Sequence, residues 1–381
     1  MVTKKRIAIV TGKRGGFGAM LGLMKFIDDD PDMELLLIVT DMHLSSFFGY
    51  TAKEVEKFFK ISYKLELDQQ GDSCVERSLA LGRCHTKMTN ILSQANPDIL
   101  ITLGDRGEVL SACIAAMELN IPIAHILGGD VAGNRDGNRI HAITKLANLH
   151  FPSSTDSATR IKKLGEEPWR IYNVGATYVD HIVQKRYNPP HEVLARYGLC
   201  PDEKFFICIQ HPMTLQEGGA YEEAHALFTT LQEVNTKIIL VYPCSDQGYL
   251  GTIKAIEEFE EEPLFSIHRN IEALDFWSLM SQATLFVGNS SAGLMETPYF
   301  NLPAINVGLR QNGRVRDTNV IDVDPTRDSI YAGIQKGLSQ EFRQSLENHH
   351  IFGAGDAGEK IYRIIKEVPI DEKLIMKKIT Y

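Results

Sequence analysis

Long apolar runs are missing from this chain of 381 residues. None reaches the ~18 consecutive apolar positions that a membrane-spanning helix needs, so no membrane partner is expected. The opening residues, Met1-Val2-Thr3-Lys4-Lys5-Arg6, lead straight into a strand too short for the core of a signal peptide, and their charges read as a solubilising N-terminus. Cysteine is sparse and scattered. Cys74, Cys84, Cys113, Cys200, Cys208 and Cys244 form no CxxC pair and no metal-ligand spacing; Cys113 and Cys208 sit in apolar runs as small hydrophobes. No metal is expected, and a reducing cytoplasm fits best. Basic charge is in deficit, with a net charge of −9, which argues against a nucleic-acid surface. An anionic ligand would need cations gathered locally.

Apolar residues are plentiful, 44% of the chain, and evenly spread. At ~100–200 residues per domain the length implies two domains. Strands are expected at 6–10, 35–40, 99–103 and 121–126, with helices at 19–27, 52–59, 75–93 and 108–118 between them. These strands are apolar throughout rather than alternating, as in a parallel sheet covered on both faces. The pattern then restarts, with strands at 205–210, 238–242, 265–267, 285–287 and 304–307 and helices at 222–235, 251–259 and 275–280. The polar stretch Val183-Gln184-Lys185-Arg186-Tyr187-Asn188-Pro189-Pro190 separates the halves. The expected organisation is α/β, with two doubly wound Rossmann-like domains facing across a cleft. An N-terminal domain would cover residues 1–178 and a C-terminal one 179–365, with 366–381 packing back on the first.

Candidate chemistry collects at the C-terminal ends of strands, where open α/β sheets bind ligands. The fullest motif is Val287-Gly288-Asn289-Ser290-Ser291-Ala292-Gly293-Leu294-Met295-Glu296: a buried strand stops at Gly288 and small polar residues open a helix. Free N–H groups there suit a phosphate, and Glu296 suits ribose hydroxyls, although Asn-Ser-Ser also makes an ordinary cap. Thr11-Gly12-Lys13-Arg14-Gly15-Gly16-Phe17-Gly18 is a second such corner, where Arg14 would neutralise a phosphate or serve as a surface cation. This corner is neither a Rossmann GxGxxG with its acidic partner nor a P-loop, which disfavours NAD and ATP. Gly104-Asp105-Arg106-Gly107-Glu108 places three charges at a buried strand end, which calls for function or for an Asp105–Arg106 ion pair. His125-Ile126-Leu127-Gly128-Gly129-Asp130 ends the next strand, before a loop carrying Asp136 and a helix carrying His141; each histidine is as readily structural. Gln210-His211-Pro212 puts a histidine where a sugar or leaving phosphate would lie. Arg310 and Arg314 form either a diphosphate clamp or a solvated basic loop.

Taken in order, Gly12…Arg14, Gly104-Asp105-Arg106…Glu108, His125-x-x-Gly128-Gly129-Asp130, His141-Ala142-Ile143-Thr144-Lys145-Leu146, His211-Pro212, Gly288-Asn289-Ser290-Ser291-Ala292-Gly293…Glu296 and Gly308-x-Arg310-Gln311…Gly313-Arg314 resemble the UDP-N-acetylglucosamine 2-epimerase family. The match is closest to its hydrolysing branch of sialic-acid and legionaminic-acid synthesis and covers nearly the whole chain. The resemblance implies a GT-B architecture and a UDP- or GDP-linked amino sugar as substrate. It also implies loss of the nucleoside diphosphate to give a glycal, then addition of water to give the free 2-epimer. It implies no cofactor and a homodimer or homotetramer. By matching positions it makes Asp105 and Asp136 the acid/base carboxylates, with Asp130 the carboxylate nearest Leu127. His211 would contact sugar or diphosphate; Asn289, Ser290, Ser291, Gly293, Arg310 and Arg314 the diphosphate; Glu296 the ribose; and Arg14 the nucleotide. Arg106, Glu108, Leu127, His141 and, more weakly, His43 would line the substrate. Two departures stand out. Leu127 replaces the glutamate of the sialic-acid branch, and Arg139 lies one position from the family's arginine, a rotation of about 100° on a helix. Both bear on the sugar more than on the diphosphate. A non-hydrolysing epimerase, a GT-B glycosyltransferase and a non-catalytic nucleotide-sugar sensor are the alternatives.

Overall fold

The computed structural model describes residues 4–213 and 219–381, so residues 1–3 of the basic N-terminal stretch lie outside it. The chain divides into two compact units. The first holds Met1–Val131, Asp136–Gln184 and Ile351–Tyr381; the second holds Lys185–His350 and takes Ala132–Arg135. The return to the first unit thus begins at Ile351, earlier than the expected residue 366. Asp180 explains part of this, since its carboxylate accepts the N–H groups of Ala357 (2.9 Å) and Gly358 (2.6 Å) and so caps the helix Ala357–Glu367. Arg170, with no exposed surface, secures the tail by donating to the carbonyls of Lys373, Leu374 and Met376 at 2.7–3.0 Å.

The first unit carries a parallel sheet of strands β1 (Lys5–Thr11), β2 (Met33–Thr40), β3 (Tyr63–Leu65), β4 (Ile99–Leu103), β5 (Ile123–Ile126) and β6 (Leu149–Phe151), in the order β3-β2-β1-β4-β5-β6. The second carries β7 (Phe205–Ile209), β8 (Lys237–Val241), β9 (Phe265–His268), β10 (Leu285–Gly288), β11 (Ala304–Val307) and β12 (Val320–Val323), in the order β12-β11-β10-β7-β8-β9. Read from the other edge this is the same doubly wound order. Ile7, Ala8 and Ile9 of β1 and Phe205, Ile207 and Cys208 of β7 have no exposed surface, as strands covered on both faces require.

In each sheet the direction of winding reverses between the first and fourth strands, and such a switch point opens the crevice where ligands bind. In the first unit the switch falls between β1 and β4, which brings Gly12 beside Gly104 and Asp105. In the second it falls between β7 and β10, which brings His211 beside Asn289. Gly288 is required there. Its φ is +123° and any Cβ would overlap the Ile209 carbonyl of β7.

Candidate active site

At the first switch point, Asp105 is half-buried and its carboxylate has no hydrogen-bond or ion-pair partner among the described residues. The Asp105–Arg106 pair is not made. Arg106 instead donates from Nη2 to Asp41 (2.7 Å) and from Nε to Glu108 (3.1 Å). Both neighbours of Asp105 are therefore fixed, because the Gly104 carbonyl accepts from His125 Nε2 (2.8 Å). Burial drives His125 down to about 3, so at neutral pH it is an uncharged donor.

Four expected contacts move into the protein. Glu108 is wholly buried; burial opposes its ionisation, yet Arg106 and Arg77 hold its carboxyl near 2. Arg106 is 6% exposed and committed to its two carboxylates, so neither residue presents a face to a substrate. His43, expected to touch the sugar, has no exposed surface: Nε2 pairs with Thr11 Oγ1 (3.0 Å) and Nδ1 with Thr51 Oγ1 (2.7 Å). Asp130 is 6% exposed and accepts the hydroxyls of Ser157 and Ser153, the latter at 3.4 Å. A position after a strand does not say whether a side chain points outward or back into the layer.

Leu127 is 8% exposed and sits at φ +63°, a left-handed conformation rare for leucine, with its N–H on the Phe151 carbonyl (3.0 Å). Asp136 opens the helix Asp136–Leu146, and Arg139 one turn later pairs with it at 3.2 Å. That pair gives the displaced arginine a partner. His141, on the same helix, is half-buried, and its Nδ1 has no partner among the described residues. Burial, then the charge of Arg160, lowers its pKa against the pull of Asp130. The corner expected as a glycine-rich loop is mostly helix. Arg14 is the first residue of Arg14–Asp28, so Gly15, Gly16 and Gly18 are helical and Gly12 alone precedes it.

At the second switch point Asn289, 1% exposed, is the hub. Its side chain accepts the His211 N–H (2.7 Å) and donates to the His211 carbonyl (2.8 Å). Its own carbonyl accepts from Arg310 Nη1 (3.2 Å) and Gln311 Nε2 (2.8 Å). Arg314 is joined to the same group through Gln311 Oε1 (3.0 Å). Ser290 and Ser291 are half-buried beside it, and Gly293 packs against Phe286. The helix that follows, Ala292–Met295, is a single turn, so the helix dipole adds little there. Glu296 accepts the indole N–H of Trp277 at 2.6 Å, a contact not foreseen from the motif.

His211, 6% exposed, accepts the Cys244 N–H on Nδ1 at 3.2 Å. One potential ligand atom each of His211, Cys244 and Asp246 lie within 4.8 Å of one another, the one group among the described residues able to hold a metal. A cavity of about 270 Å³ opens at the ends of β11 and β12, lined in part by Asn306, Arg316, Asp322 and Asp324, to one side of the switch point.

The model of the UDP-N-acetylglucosamine 2-epimerase family matches residues 25–366, and the chain belongs to that family. It is an enzyme of the nucleotide-sugar 2-epimerase type. It is 32% identical over 374 residues, 98% of each chain, to the UDP-N,N'-diacetylbacillosamine 2-epimerase (hydrolyzing) of Legionella pneumophila. It is 29% identical over 348 residues, 90% of each chain, to the GDP/UDP-N,N'-diacetylbacillosamine 2-epimerase (hydrolyzing) of Campylobacter jejuni. Among solved structures it shares its fold with the Neisseria meningitidis UDP-GlcNAc 2-epimerase bound to UDP-GlcNAc. That likeness has a TM-score of 0.79 at 16% identity and covers 95% of this chain and 100% of the other.

Proposed function

We propose that the protein is a hydrolysing 2-epimerase acting on a UDP- or GDP-linked acetamido sugar, with a diacetamido sugar of the N,N'-diacetylbacillosamine type as the favoured substrate. One carboxylate removes the proton from C2 while the C1–O bond breaks, its electron pair leaving with the nucleoside diphosphate and a C1–C2 double bond forming. Water then adds, its oxygen to C1 and a proton to the opposite face of C2, releasing the free 2-epimer. The C2 proton is weakly acidic, so the reaction needs a positioned base and strong stabilisation of the departing diphosphate.

The observation that carries this is Asp105: a carboxylate without a hydrogen-bond or ion-pair partner among the described residues, between two fixed residues at the first switch point. Asp136, at the family's second carboxylate position and at the start of the helix Asp136–Leu146, is the second proton-transfer group, since Leu127 carries no proton. Arg310, Ser290 and Ser291 hold the diphosphate, Glu296 the ribose, His211 the sugar or diphosphate, and Arg14 the nucleotide. The diacetamido preference is supported by the names of the two relatives and by leucine in place of glutamate at 127. Incubation with UDP-N-acetylglucosamine, UDP-N,N'-diacetylbacillosamine and its GDP counterpart, without acceptor, tests the proposal. Nucleoside diphosphate plus free 2-epimer supports it. An epimerised nucleotide sugar means the non-hydrolysing outcome, and turnover only with an added acceptor means a glycosyltransferase.

A further inference from the structure

Four charged side chains from separate stretches of the first unit meet around the loop that carries Asp105, none of them more than 7% exposed. Arg106 and Glu108 come from the start of the helix Gly107–Glu118, Asp41 from the turn after β2, and Arg77 from the first turn of the helix Cys74–Ala95. Arg106 holds Asp41 and Glu108. Arg77 closes the ring, with Nη2 on Glu108 Oε2 (3.0 Å) and near Asp41 Oδ2 (3.6 Å), and Nη1 donating to Gln69 Oε1 (2.7 Å). Gly12 joins too, because any Cβ there would overlap the Glu108 carboxylate. The C-terminal ends of β1, β2 and β4, three neighbouring strands, are tied through one buried cluster of two guanidinium and two carboxyl groups.

Buried ion pairs are a poor source of stability, since well-packed hydrophobic groups do as well. What this cluster supplies is one fixed geometry. Asp105 makes no hydrogen bond or ion pair with it, yet the residue after Asp105 is held by it through two carboxyl groups. Removing Arg77 would leave two buried carboxylates sharing a single guanidinium, and Arg106 would have to move.

We propose that Arg77 is a positioning residue: through Glu108, Asp41 and Arg106 it fixes the 104–106 loop and hence the attitude of the Asp105 carboxylate. This rests on the assignment of proton transfer to Asp105. The test uses the full chain with Arg77→Met and Arg77→Lys, and has two readouts. The first is amide hydrogen exchange across residues 104–108 without substrate, where the Gly104 N–H is bonded to the Ile126 carbonyl (2.9 Å). The second is kcat, KM and nucleoside-diphosphate Kd for the substrate that the wild type turns over. The expected result is exchange at least about 10-fold faster and kcat lower by about 10–100-fold in folded Arg77→Met, the scale of an ångström-sized misplacement. Kd should stay within about twofold, since the proposed diphosphate and ribose contacts, Arg310, Ser290, Ser291 and Glu296, lie outside the cluster. Lysine keeps the charge without the fork and should recover part of kcat. If Arg77→Met does not fold, Arg77→Lys carries the same comparison. Unchanged exchange, unchanged kcat, or a kcat loss matched by lost nucleotide affinity overturns the proposal. An inactive wild type would sink the functional assignment instead, and exchange would still decide whether Arg77 holds the loop.

Discussion

Replacing Asp105 by asparagine removes a charge but no hydrogen bond or ion pair among the described residues, so folding should be unaffected. Turnover should fall by about two to four orders of magnitude, the usual weight of a positioned proton-transfer group. Activity within a few-fold of wild type would remove Asp105 from the mechanism. Asp136→Asn should cause a loss of the same order. Leu127→Ala, by contrast, should act mainly on stability, since the side chain is 8% exposed; truncating a buried leucine costs about 2–5 kcal/mol. A Leu127→Ala protein that folds normally but loses more rate than Asp136→Asn would reverse these roles. At this scale the sequence showed which residues end the strands but not how they pair. Asp41, Arg77, Arg106 and Glu108 are far apart in sequence and only the fold makes them neighbours. His43 was misplaced for the same reason.

Among the elements, the loop after β11, which carries Arg310, is the most directly testable. Arg310→Ala should weaken nucleoside-diphosphate binding by roughly 2–4 kcal/mol, the scale of a charge-assisted contact in a closed site, and calorimetry with UDP and GDP reads this directly. Unchanged affinity would make Arg310 a loop cation with a structural part, its bond to the Asn289 carbonyl included. The strands expected from apolar runs are all present, and the three that went unseen, β3, β6 and β12, are edge strands of three or four residues. An edge strand needs no long apolar run, because one side of it is not covered by another strand. The helix after β1 starts five residues earlier than the apolar periodicity implied, since its first turn is built from Arg14, Gly15 and Gly16. Glycines ordinarily signal a loop; here they lie in the first turn of a helix.

For the molecule as a whole, buried ionisable groups set the direction of pH dependence. His43 and His125 are pushed by burial to about 3 in the folded state, against an ordinary 6.5. Between those values the unfolded chain binds more protons, so stability falls as pH drops through that window. Glu108 and Glu166, each near 2, add losses of the same sign below their ordinary 4.5. Asp180, raised by burial to about 6, works the other way between its ordinary 3.8 and 6, as do Asp41, Glu223 and His349, which are also raised; His141, His150 and His268, lowered by burial, add to His43 and His125. The melting temperature should therefore be lower at pH 5 than at pH 7.5. An equal or higher value at pH 5 would mean that these histidines are not buried uncharged. The twofold α/β pattern was legible because central parallel strands are apolar on both faces. The boundary at Ile351 was not, because it depends on Asp180 and Arg170 reaching residues far along the chain.

Elimination followed by hydration leaves an isotopic record that no competing reaction shares. Turnover of the preferred nucleotide sugar in D2O enriched in ¹⁸O, followed by NMR and mass spectrometry, should give free 2-epimer carrying one deuterium at C2. The nucleoside diphosphate should carry no ¹⁸O, because the bond broken is C1–O. Hydrolysis without deuterium at C2, ¹⁸O in the diphosphate, or an epimer still attached to its nucleotide would contradict the assignment.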